Sequence, residues 1–380
     1  MGHPERPRVV VAGLGDTGLL IATRLARTCD VVGISTRPAL VSGQELGMRL
    51  SEPWRWRRTY FVPFDRLRGL DRVRTVHGRV TAVDLDGRTV HLERADGTVG
   101  TEPYDVLVVA TGASNGFWRH DRVEGIEEIE AGLATPAARL AAASTVAVVG
   151  GGATGVSVAD NLARRGVVEV HLFHPGELPL PGYHPKVRQW AAGVLRTDGV
   201  HVHPDHRAEV PDGFAGDRLT TGPVTWSTGQ DPFAADCTLW GLGRVRPHSG
   251  FLPATVLDDD GFVRVDQYLR VPGHPEVLAV GDVAATDPNR SSARNWGWRV
   301  ATVNARVAAN GGNGRLRRFR APHHRWGSGF GLQENGLGVV QPGGGRFRFP
   351  RAAAEALLYR LFVTGYLYRG IRSAAPGGRP

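Results

Sequence analysis

The sequence predicts an α/β protein built from two parallel-sheet units and a small C-terminal region. Two glycine-rich turns, GLGDTG and GGGATG, each follow directly after a run of β-branched residues and precede an apolar helical pattern. The length of 380 residues is the third observation, because it exceeds what one ordinary hydrophobic core accommodates and suits two or three domains.

The first turn connects a predicted buried strand at residues 9–11 to a helix whose apolar face begins at Leu19. In such a turn the first glycine permits a tight bend, the second lets the backbone approach a pyrophosphate, and the third packs helix against strand. The phosphates then rest on the N-terminus of the helix. The residues that we expect to contact a dinucleotide here are Gly13, Gly15, Asp16, Thr17 and Gly18.

The second turn repeats this arrangement between a strand at residues 146–149 and a helical pattern that continues to Leu162. One glycine pattern by itself is a weak indicator, because glycine-rich turns also end ordinary helices and hairpins, but both copies have the strand, turn and helix in order. They therefore predict two bound dinucleotides. The expected contacts in the second turn are Gly150, Gly152, Ala153, Thr154 and Gly155.

The predicted units are not contiguous along the chain. A hairpin with strands at 76–83 and 88–92 belongs to the first unit, and so does a buried strand at 104–110 that ends in Thr111 and Gly112. The chain leaves the second unit at Gly243 and returns to the first. The predicted divisions are 1–125 with 250–315 for the first nucleotide-binding domain, 126–249 for the second, and 316–380 for a basic C-terminal region.

The positive charge of the chain is concentrated in this C-terminal region. The formal net charge is +9, and residues 315–380 contain twelve arginines against Glu334 and Glu355, so the preceding residues sum to about −1. No nucleic-acid motif accompanies the arginines. The expected partners are an anionic membrane face, an acidic protein or a phosphate-bearing cofactor.

The two cysteines, Cys29 and Cys237, are far apart in the sequence, and neither belongs to a CxxC pair or a metal knuckle. A reductase that passes electrons through a protein disulfide is therefore excluded. The longest uncharged stretch, residues 140–159, contains the second glycine turn and is predicted to be strand and helix, with no membrane span. Without an apolar N-terminal segment, we expect a cytoplasmic protein.

The order of these segments resembles the two-dinucleotide-binding flavoproteins: GxGxxG, ATG, GxGxxG, a second strand with glycine, then VGD. Within them, the stretches at 261–285 and QENGLG at 333–338 resemble the type II NADH dehydrogenase and apoptosis-inducing-factor-like branch, especially the ferroptosis-suppressor type of NAD(P)H:quinone reductase. The resemblance implies two Rossmann-like domains, with an FAD domain split around an NAD(P)H domain, and it implies FAD and NAD(P)H as cofactors.

The resemblance also assigns residues to each cofactor. FAD would be held by the first turn, by Thr111 and Gly112, and by Gly281 and Asp282, whose carboxylate would accept from the ribityl chain. The alternative is that Gly281 and Asp282 form only a turn and helix cap. NAD(P)H would be held by the second turn and Gly243.

Two positions depart from the family pattern. About 20 residues beyond each glycine turn an acidic residue is expected on the ribose hydroxyls. The first copy has Ser35, Thr36 and Arg37 there, and the second has Phe173 and His174. Ser35 or Thr36 is a weaker ribose partner, and Arg37 is expected to stack on adenine or pair with phosphate. His174 is expected at the surface or the ribose edge, and the choice between NADH and NADPH stays open.

The acceptor side is predicted to follow Asp282. In the resembled enzymes a nicotinamide gives hydride to flavin N5, and a helix N-terminus stabilises the charge that develops on the flavin. Residues 289–292 are expected to cap that helix, and Arg294 or Asn295 to face the flavin pyrimidine edge. Trp296 and Trp298 would form a wall for a flat quinone, and the alternative is that both tryptophans only pack beneath the helix.

A basic, aromatic helix is predicted at residues 351–369, suited to lie at a membrane interface or to pack on the body or a dimer partner. The leading functional prediction is oxidation of NAD(P)H with direct transfer from flavin to a quinone-like acceptor. The alternatives are a reductase of a redox protein such as ferredoxin, a biosynthetic reductase of an aromatic metabolite, and a redox sensor that binds FAD weakly.

Overall fold

A computed structural model describes residues 6–115, 120–166, 168–242, 245–293 and 296–373 of the chain. The first part of the chain alternates strands with helices and then becomes a hairpin-rich segment. Its helices are α1 (Asp16–Leu25), α2 (Leu46–Ser51) and α3 (Pro53–Tyr60). Its strands are β1 (Arg8–Ala12), β2 (Asp30–Ser35), β3 (Ala39–Val41), β4 (Phe61–Pro63), β5 (Val73–Asp84), β6 (Thr89–Arg94), β7 (Val99–Pro103), β8 (Val106–Val109) and β9 (Ala113–Asn115).

The middle of the chain forms the second unit. Its helices are α4 (Ile126–Ala142), α5 (Ala153–Ala163) and α6 (Pro185–Thr197). Its strands are β10 (Thr145–Val149), β11 (Glu169–Phe173), β12 (Val200–His203), β13 (Thr220–Val224) and β14 (Phe233–Trp240). The uncharged stretch at 140–159 is thus the end of α4, strand β10 and the start of α5, as predicted.

The last part of the chain returns to the first sheet and then adds a hairpin and a helix. Its strands are β15 (Val245–Pro247), β16 (Val263–Arg264), β17 (Arg270–Val271), β18 (His274–Ala279), β19 (Ala284–Ala285), β20 (Leu332–Gln333), β21 (Gly336–Val340) and β22 (Arg346–Phe349). Its helices are α7 (Gly297–Ala309) and α8 (Arg351–Ala353), which continues as a π-helix, Ala354–Leu367.

Two sheets organise the molecule and confirm the predicted α/β fold class. The first sheet has the strand order β17-β18-β8-β1-β2-β5-β6-β7, and the second has the order β12-β11-β10-β14-β13. Pairing is parallel from β18 through β8, β1 and β2 to β5, and from β12 through β11 and β10 to β14. Buried valines line both faces of β1, β8 and β10. Helices α1 and α7 cover one face of the first sheet, and α4, α5 and α6 cover one face of the second, whereas strands and loops cover the opposite faces. The domain boundaries themselves remain a prediction.

The C-terminal segment packs on both units. Val363 and Tyr368 enter the core around α1, and Phe330 and Val340 enter the core of the second sheet. Gln333 of the QENGLG stretch donates to the Asp160 carboxylate on α5 at 3.3 Å. In the part of the chain that the structure describes, every helix is too short or too polar to span a bilayer.

Glu45 joins the first unit to this C-terminal segment. Its Oε2 accepts from the Leu332 N–H at 3.3 Å, and its Oε1 bonds with the Tyr359 hydroxyl at 3.4 Å. Tyr60 packs edge-on against Tyr359, with ring centroids 6.1 Å apart. Burial raises the pKa of the Glu45 carboxyl to about 7, and the hydrogen bonds from Leu332 and Tyr359 offset only part of that shift.

Replacing the Glu45 carboxyl is therefore expected to remove a destabilisation of the fold that depends on pH. In the folded protein Glu45 ionises near pH 7, and in the unfolded chain near its ordinary 4.5, so ionisation destabilises the fold progressively as pH rises between these values. Glu45→Gln should gain up to about 3 kcal/mol over wild type between pH 5 and pH 8 in urea unfolding. Glu334→Gln, on the exposed tip of the same hairpin, is the control. If the free energy of unfolding changed with pH in the same way for Glu45→Gln and wild type, the prediction would be wrong.

Candidate functional site

The carboxyl ends of four parallel strands meet at one edge of the first sheet. Gly13 follows β1, Ser35 ends β2, Thr111 closely follows β8, and Gly281 closely follows β18. Ligands of open parallel sheets bind outside this edge. The structure thus brings together the residues that the sequence assigned to the first dinucleotide.

The first glycine turn has two packed glycines and one open glycine. Gly13 has φ +96°, and a Cβ on it would lie 2.5 Å from the Ala110 carbonyl oxygen. A Cβ on Gly18 would overlap the carbonyl oxygen of Gly13, whereas a Cβ on Gly15 would meet nothing within 4 Å. The backbone at Gly15, which caps α1, therefore borders free space at a helix N-terminus, as a pyrophosphate requires.

The second turn has the same geometry. Gly150 has φ +126°, and a Cβ on it would overlap the Gly241 carbonyl oxygen, while a Cβ on Gly155 would overlap that of Gly150. Gly152, which caps α5, again borders free space, and Ala153 and Thr154 begin the helix. The close neighbour is thus Gly241, directly after β14, whereas the sequence analysis assigned the contact to Gly243 of the same segment. The predicted Gly243 lies outside the described residues.

Asp16 and Thr17 of the first turn face two different neighbouring segments. Asp16 accepts from the Ser42 hydroxyl at 2.7 Å and from the Gly43 N–H at 2.8 Å, so its carboxylate holds the loop that follows β3. Thr17 faces the end of β18, where a Cβ on Gly281 would be 3.7 Å from its hydroxyl oxygen.

A carboxylate does lie beside the end of β2, although the local sequence has none. The Glu124 N–H donates to the Thr36 carbonyl at 2.9 Å. The Glu124 carboxylate accepts from Arg37 Nε at 2.7 Å and lies 3.1 Å from His120 Nε2. Ser35 Oγ accepts a hydrogen bond from the Arg37 backbone N–H at 3.2 Å. Only the tertiary fold brings Glu124 here, from just before α4.

The charge state of Glu124 follows from these contacts. Burial acts to raise its pKa, but the hydrogen bonds from His120 and Arg37, with the Arg37 charge, outweigh burial and lower the pKa to about 2. The group is therefore an anion at neutral pH, with 14 % of its side chain exposed.

His248 fixes the turn after β8. The Thr111 hydroxyl donates to the His248 carbonyl at 2.6 Å, and the His248 N–H donates to the Gly112 carbonyl at 3.0 Å. Burial lowers the pKa of His248, so the ring is neutral at pH 7. Its Nδ1 then donates to the Thr111 carbonyl at 3.0 Å, and its Nε2 accepts from Ser114 at 2.7 Å. No sequence motif indicated this role for His248.

The segment after β18 corrects one expectation. The Gly281 N–H donates to Ser292 Oγ at 3.0 Å, and Asp282 is half-buried beside it. Residues 289–292 do not cap the long helix, because the Asp287 carboxylate accepts from the Ser291 N–H and hydroxyl and closes a separate turn. Helix α7 begins only at Gly297, and the predicted Arg294 and Asn295 lie outside the described residues.

Of the two places predicted for His174, the structure excludes the surface and leaves the ribose edge. His174 is 2 % exposed, so it is not a surface residue. A Cβ on Gly151 would be 2.7 Å from the Cβ of His174, so the side chain lies directly over the second glycine turn. Burial lowers the pKa of His174, and the ring is neutral at pH 7.

Comparison with known proteins decides the family. The family model described as pyridine nucleotide-disulphide oxidoreductase matches residues 7–308. The chain belongs to this family. It is an NAD(P)H-dependent flavoprotein oxidoreductase that uses FAD and NAD(P)H, and the resemblance to the type II NADH dehydrogenase and apoptosis-inducing-factor-like branch is confirmed.

Individual relatives support the same placement. The chain is 30 % identical over 252 residues to the oxidoreductase ptaL of Pestalotiopsis fici, with 64 % of this chain and 63 % of that protein covered. It therefore spans less than two thirds of that relative. It is 28 % identical over 331 residues to the type II NADH:quinone oxidoreductase Ndh of Mycobacterium tuberculosis, covering 75 % and 68 %. A ferredoxin reductase of Rhodopseudomonas palustris shares the fold, with TM-score 0.62, 22 % identity and coverage of 84 % and 79 %.

This member of the disulphide oxidoreductase family has no thiol pair. Cys29 is buried in the core around α1, and Cys237 is buried in the core of the second sheet. Burial raises the pKa of the Cys237 thiol, which keeps it protonated. The two cysteines therefore cannot form a dithiol pair with each other.

The two tryptophans that the sequence predicts on the acceptor side differ in their exposure. Trp298 is 8 % exposed within the core around α1, with the Arg24 guanidinium 4.2 Å from its ring centre, so it is a packing residue. This position agrees with the alternative that Trp298 packs beneath the helix, and the acceptor-wall role stays a prediction. Trp296 caps α7 with φ +59° and is 38 % exposed, with Arg299 over its ring at 4.0 Å.

Proposed function

We propose that this flavoprotein oxidises NAD(P)H and passes electrons directly to a small quinone-type acceptor. The observation that carries the proposal is the pair of matching open turns at Gly15 and Gly152, combined with the absence of any second thiol near either cysteine. The likeness to a type II NADH:quinone oxidoreductase supports a quinone over other acceptors.

In this proposal each turn holds one cofactor. FAD lies on the first turn, with Thr17, Thr111, Gly112, Gly281 and Asp282 along the sheet edge, and NAD(P)H lies on the second turn, with His174 and Gly241 beside it. When bound, the flavin supplies the redox chemistry, as hydride acceptor and then electron donor.

The chain contributes position and electrostatics. Ser292 links the end of β18 to α7, because its Oγ accepts from the Gly281 N–H and its carbonyl packs against Gly297 with no room for a Cβ. We propose that the N-terminus of α7 stabilises negative charge beside Asp282 through its free N–H groups.

The acceptor in this proposal reaches Trp296. This ring packs edge-on against Phe362 of the C-terminal helix, with centroids 6.2 Å apart. A protein acceptor is less well supported, because the arginines at 315–320 lie beside Tyr268 and Val303, along the C-terminal half of α7. The 13 residues of α7 span about 20 Å, so these arginines are remote from its N-terminus.

We also propose that Glu124 replaces the missing ribose acid of the first turn. An acid at the end of the second strand usually accepts from the adenosine ribose. Glu124 is anchored to the backbone of Thr36 at that position, and Arg37 and His120 keep it ionised. Each carboxylate oxygen has a second lone pair, so the ribose hydroxyls retain an acceptor.

Finally, we propose that the C-terminal helix contacts an anionic membrane surface. Its inner face packs on the protein through Ala354 and Val363, whereas Leu357 and Leu361 are 60 % and 62 % exposed. Exposed leucines beside Arg360 are suited to an interface where lipid quinones reside.

The two turns can be tested separately by anaerobic titration with NADH and NADPH while the flavin bands are followed. Gly15→Ala should purify with much less bound flavin than wild type, because its methyl group enters the space for the pyrophosphate. Gly152→Ala should keep its flavin but need at least about 10-fold more nucleotide for bleaching, the cost of about 1.4 kcal/mol of binding. Gly193→Ala, where a Cβ on α6 also meets nothing within 4 Å, is the control.

The protein bleached in this titration can also be used to identify the electron acceptor. Reoxidation of the bleached protein by a menaquinone analogue would support the proposal. Failure with quinones together with salt-sensitive reoxidation by ferredoxin would establish the redox-protein alternative. A colourless protein that takes up no added FAD would refute the flavin chemistry altogether.

Glu124→Gln is expected to weaken FAD binding about 10-fold, because a neutral amide is a poorer acceptor and leaves Arg37 unpaired. Fluorescence quenching during reconstitution of the apoprotein measures the affinity. Glu127→Gln, exposed at the start of α4, is the matched control. An unchanged FAD affinity with a lowered melting temperature would show that Glu124 serves only the fold.

Leu361→Glu should abolish sedimentation with anionic liposomes and leave flavin bleaching unchanged, because the side chain is exposed and charge on the helix would repel the surface. Val99→Glu, at an 82 % exposed apolar residue on β7, controls for added charge. Equal sedimentation of both variants would rule out membrane contact through this helix.

A further inference from the structure

One face of the second sheet carries histidines that neither nucleotide turn uses. His171 lies on β11, and His201 lies directly opposite it on the parallel neighbour β12. Their rings are nearly parallel, with centroids 4.7 Å apart. Glu169 lies two residues before His171 on the same strand, and therefore on the same face.

The polar atoms of these three side chains converge. Glu169 Oε1 lies 3.1 Å from His171 Nε2 and 3.5 Å from His201 Nε2. All three atoms lie within 4.8 Å of one another. Ligand bonds of 2.0–2.2 Å place the ligand atoms of a tetrahedral zinc ion about 3.3 Å apart. The observed separations therefore need only small side-chain movements to admit such an ion.

A fourth residue orients the central histidine. His203 Nε2 lies 2.9 Å from His171 Nδ1, so this pair fixes the ring and directs His171 Nε2 toward Glu169. A metal-binding histidine usually donates its other ring N–H to an acceptor such as a carboxylate, a carbonyl or water, and here His203 Nε2 is in the acceptor position. His171 is 9 % exposed, while the side chains of Glu169 and His201 are 54 % and 56 % exposed, so an ion can enter from solvent.

We propose that Glu169, His171 and His201 bind a divalent first-row transition-metal ion, such as Zn²⁺, with His203 as a positioning residue. Two imidazoles and one carboxylate suit Zn²⁺, Ni²⁺ or Cu²⁺ rather than the oxygen-seeking Mg²⁺ or Ca²⁺. A bound ion joins the edge strand β12 to β11. The site stabilises the second sheet and takes no part in the electron transfer.

The test is calorimetric titration of the chelator-treated full chain with Zn²⁺, paired with thermal unfolding. Wild type should bind one equivalent and melt at a higher temperature with zinc. His201→Ala, an exposed site, should weaken binding at least about 10-fold and lose the thermal shift, and His203→Ala should weaken it by about 10- to 100-fold. His91→Ala, an exposed histidine on β6, should behave as wild type.

Two results would overturn the proposal. One is the absence of stoichiometric zinc uptake by wild type, which would leave the three residues as a hydrogen-bonded surface cluster. The other is unchanged zinc affinity in both His201→Ala and Glu169→Gln. Flavin bleaching by NAD(P)H should be the same in His201→Ala and wild type, so failure of the nucleotide proposals would not affect this outcome.

Discussion

Both nucleotide cradles depend on one steric constraint, which is the lack of space for a β-carbon where each helix crosses its own turn. Gly18 packs on the Gly13 carbonyl, and Gly155 packs on the Gly150 carbonyl, with no room for a methyl group. This contact draws the helix N-terminus to the end of the strand, so that its free N–H groups and the neighbouring strand ends face one point. The middle glycine, Gly15 or Gly152, is then the only one left open.

The same constraint leaves the ribose edge free to differ between the two copies. In the first copy a distant segment supplies Glu124 and holds it as an anion between Arg37 and His120. In the second copy His174 is buried and neutral, so it offers neither the acid that favours NADH nor a cation for a 2′-phosphate. In the arrangement that we propose, the tertiary structure thus supplies the missing negative charge in the first copy, whereas His174 in the second copy is uncharged.

The sequence predicted those features that depend on neighbouring residues. Both glycine turns, their flanking strands and helices, and the hairpin at 84–87 are local patterns, and each occurs as expected. Glu124 and His248 are brought to the first turn by the fold, and no local spacing marks them. The alternatives that the sequence left open for His174 and Trp298 have the same origin, because the exposure of these residues is decided by distant contacts with Gly151 and Arg24.

Arg24 also explains why the basic C-terminal segment belongs to the body of the protein. Its guanidinium donates to the Tyr366 and Leu367 carbonyls, both at 3.2 Å, at the end of the C-terminal helix, while it covers Trp298 on α7. Burial and the nearby Arg369 charge lower its pKa to about 10, so it remains charged at neutral pH. One cation therefore joins α1, α7 and the C-terminal helix. The position of Phe362 against Trp296, where we propose that the acceptor binds, depends on this junction.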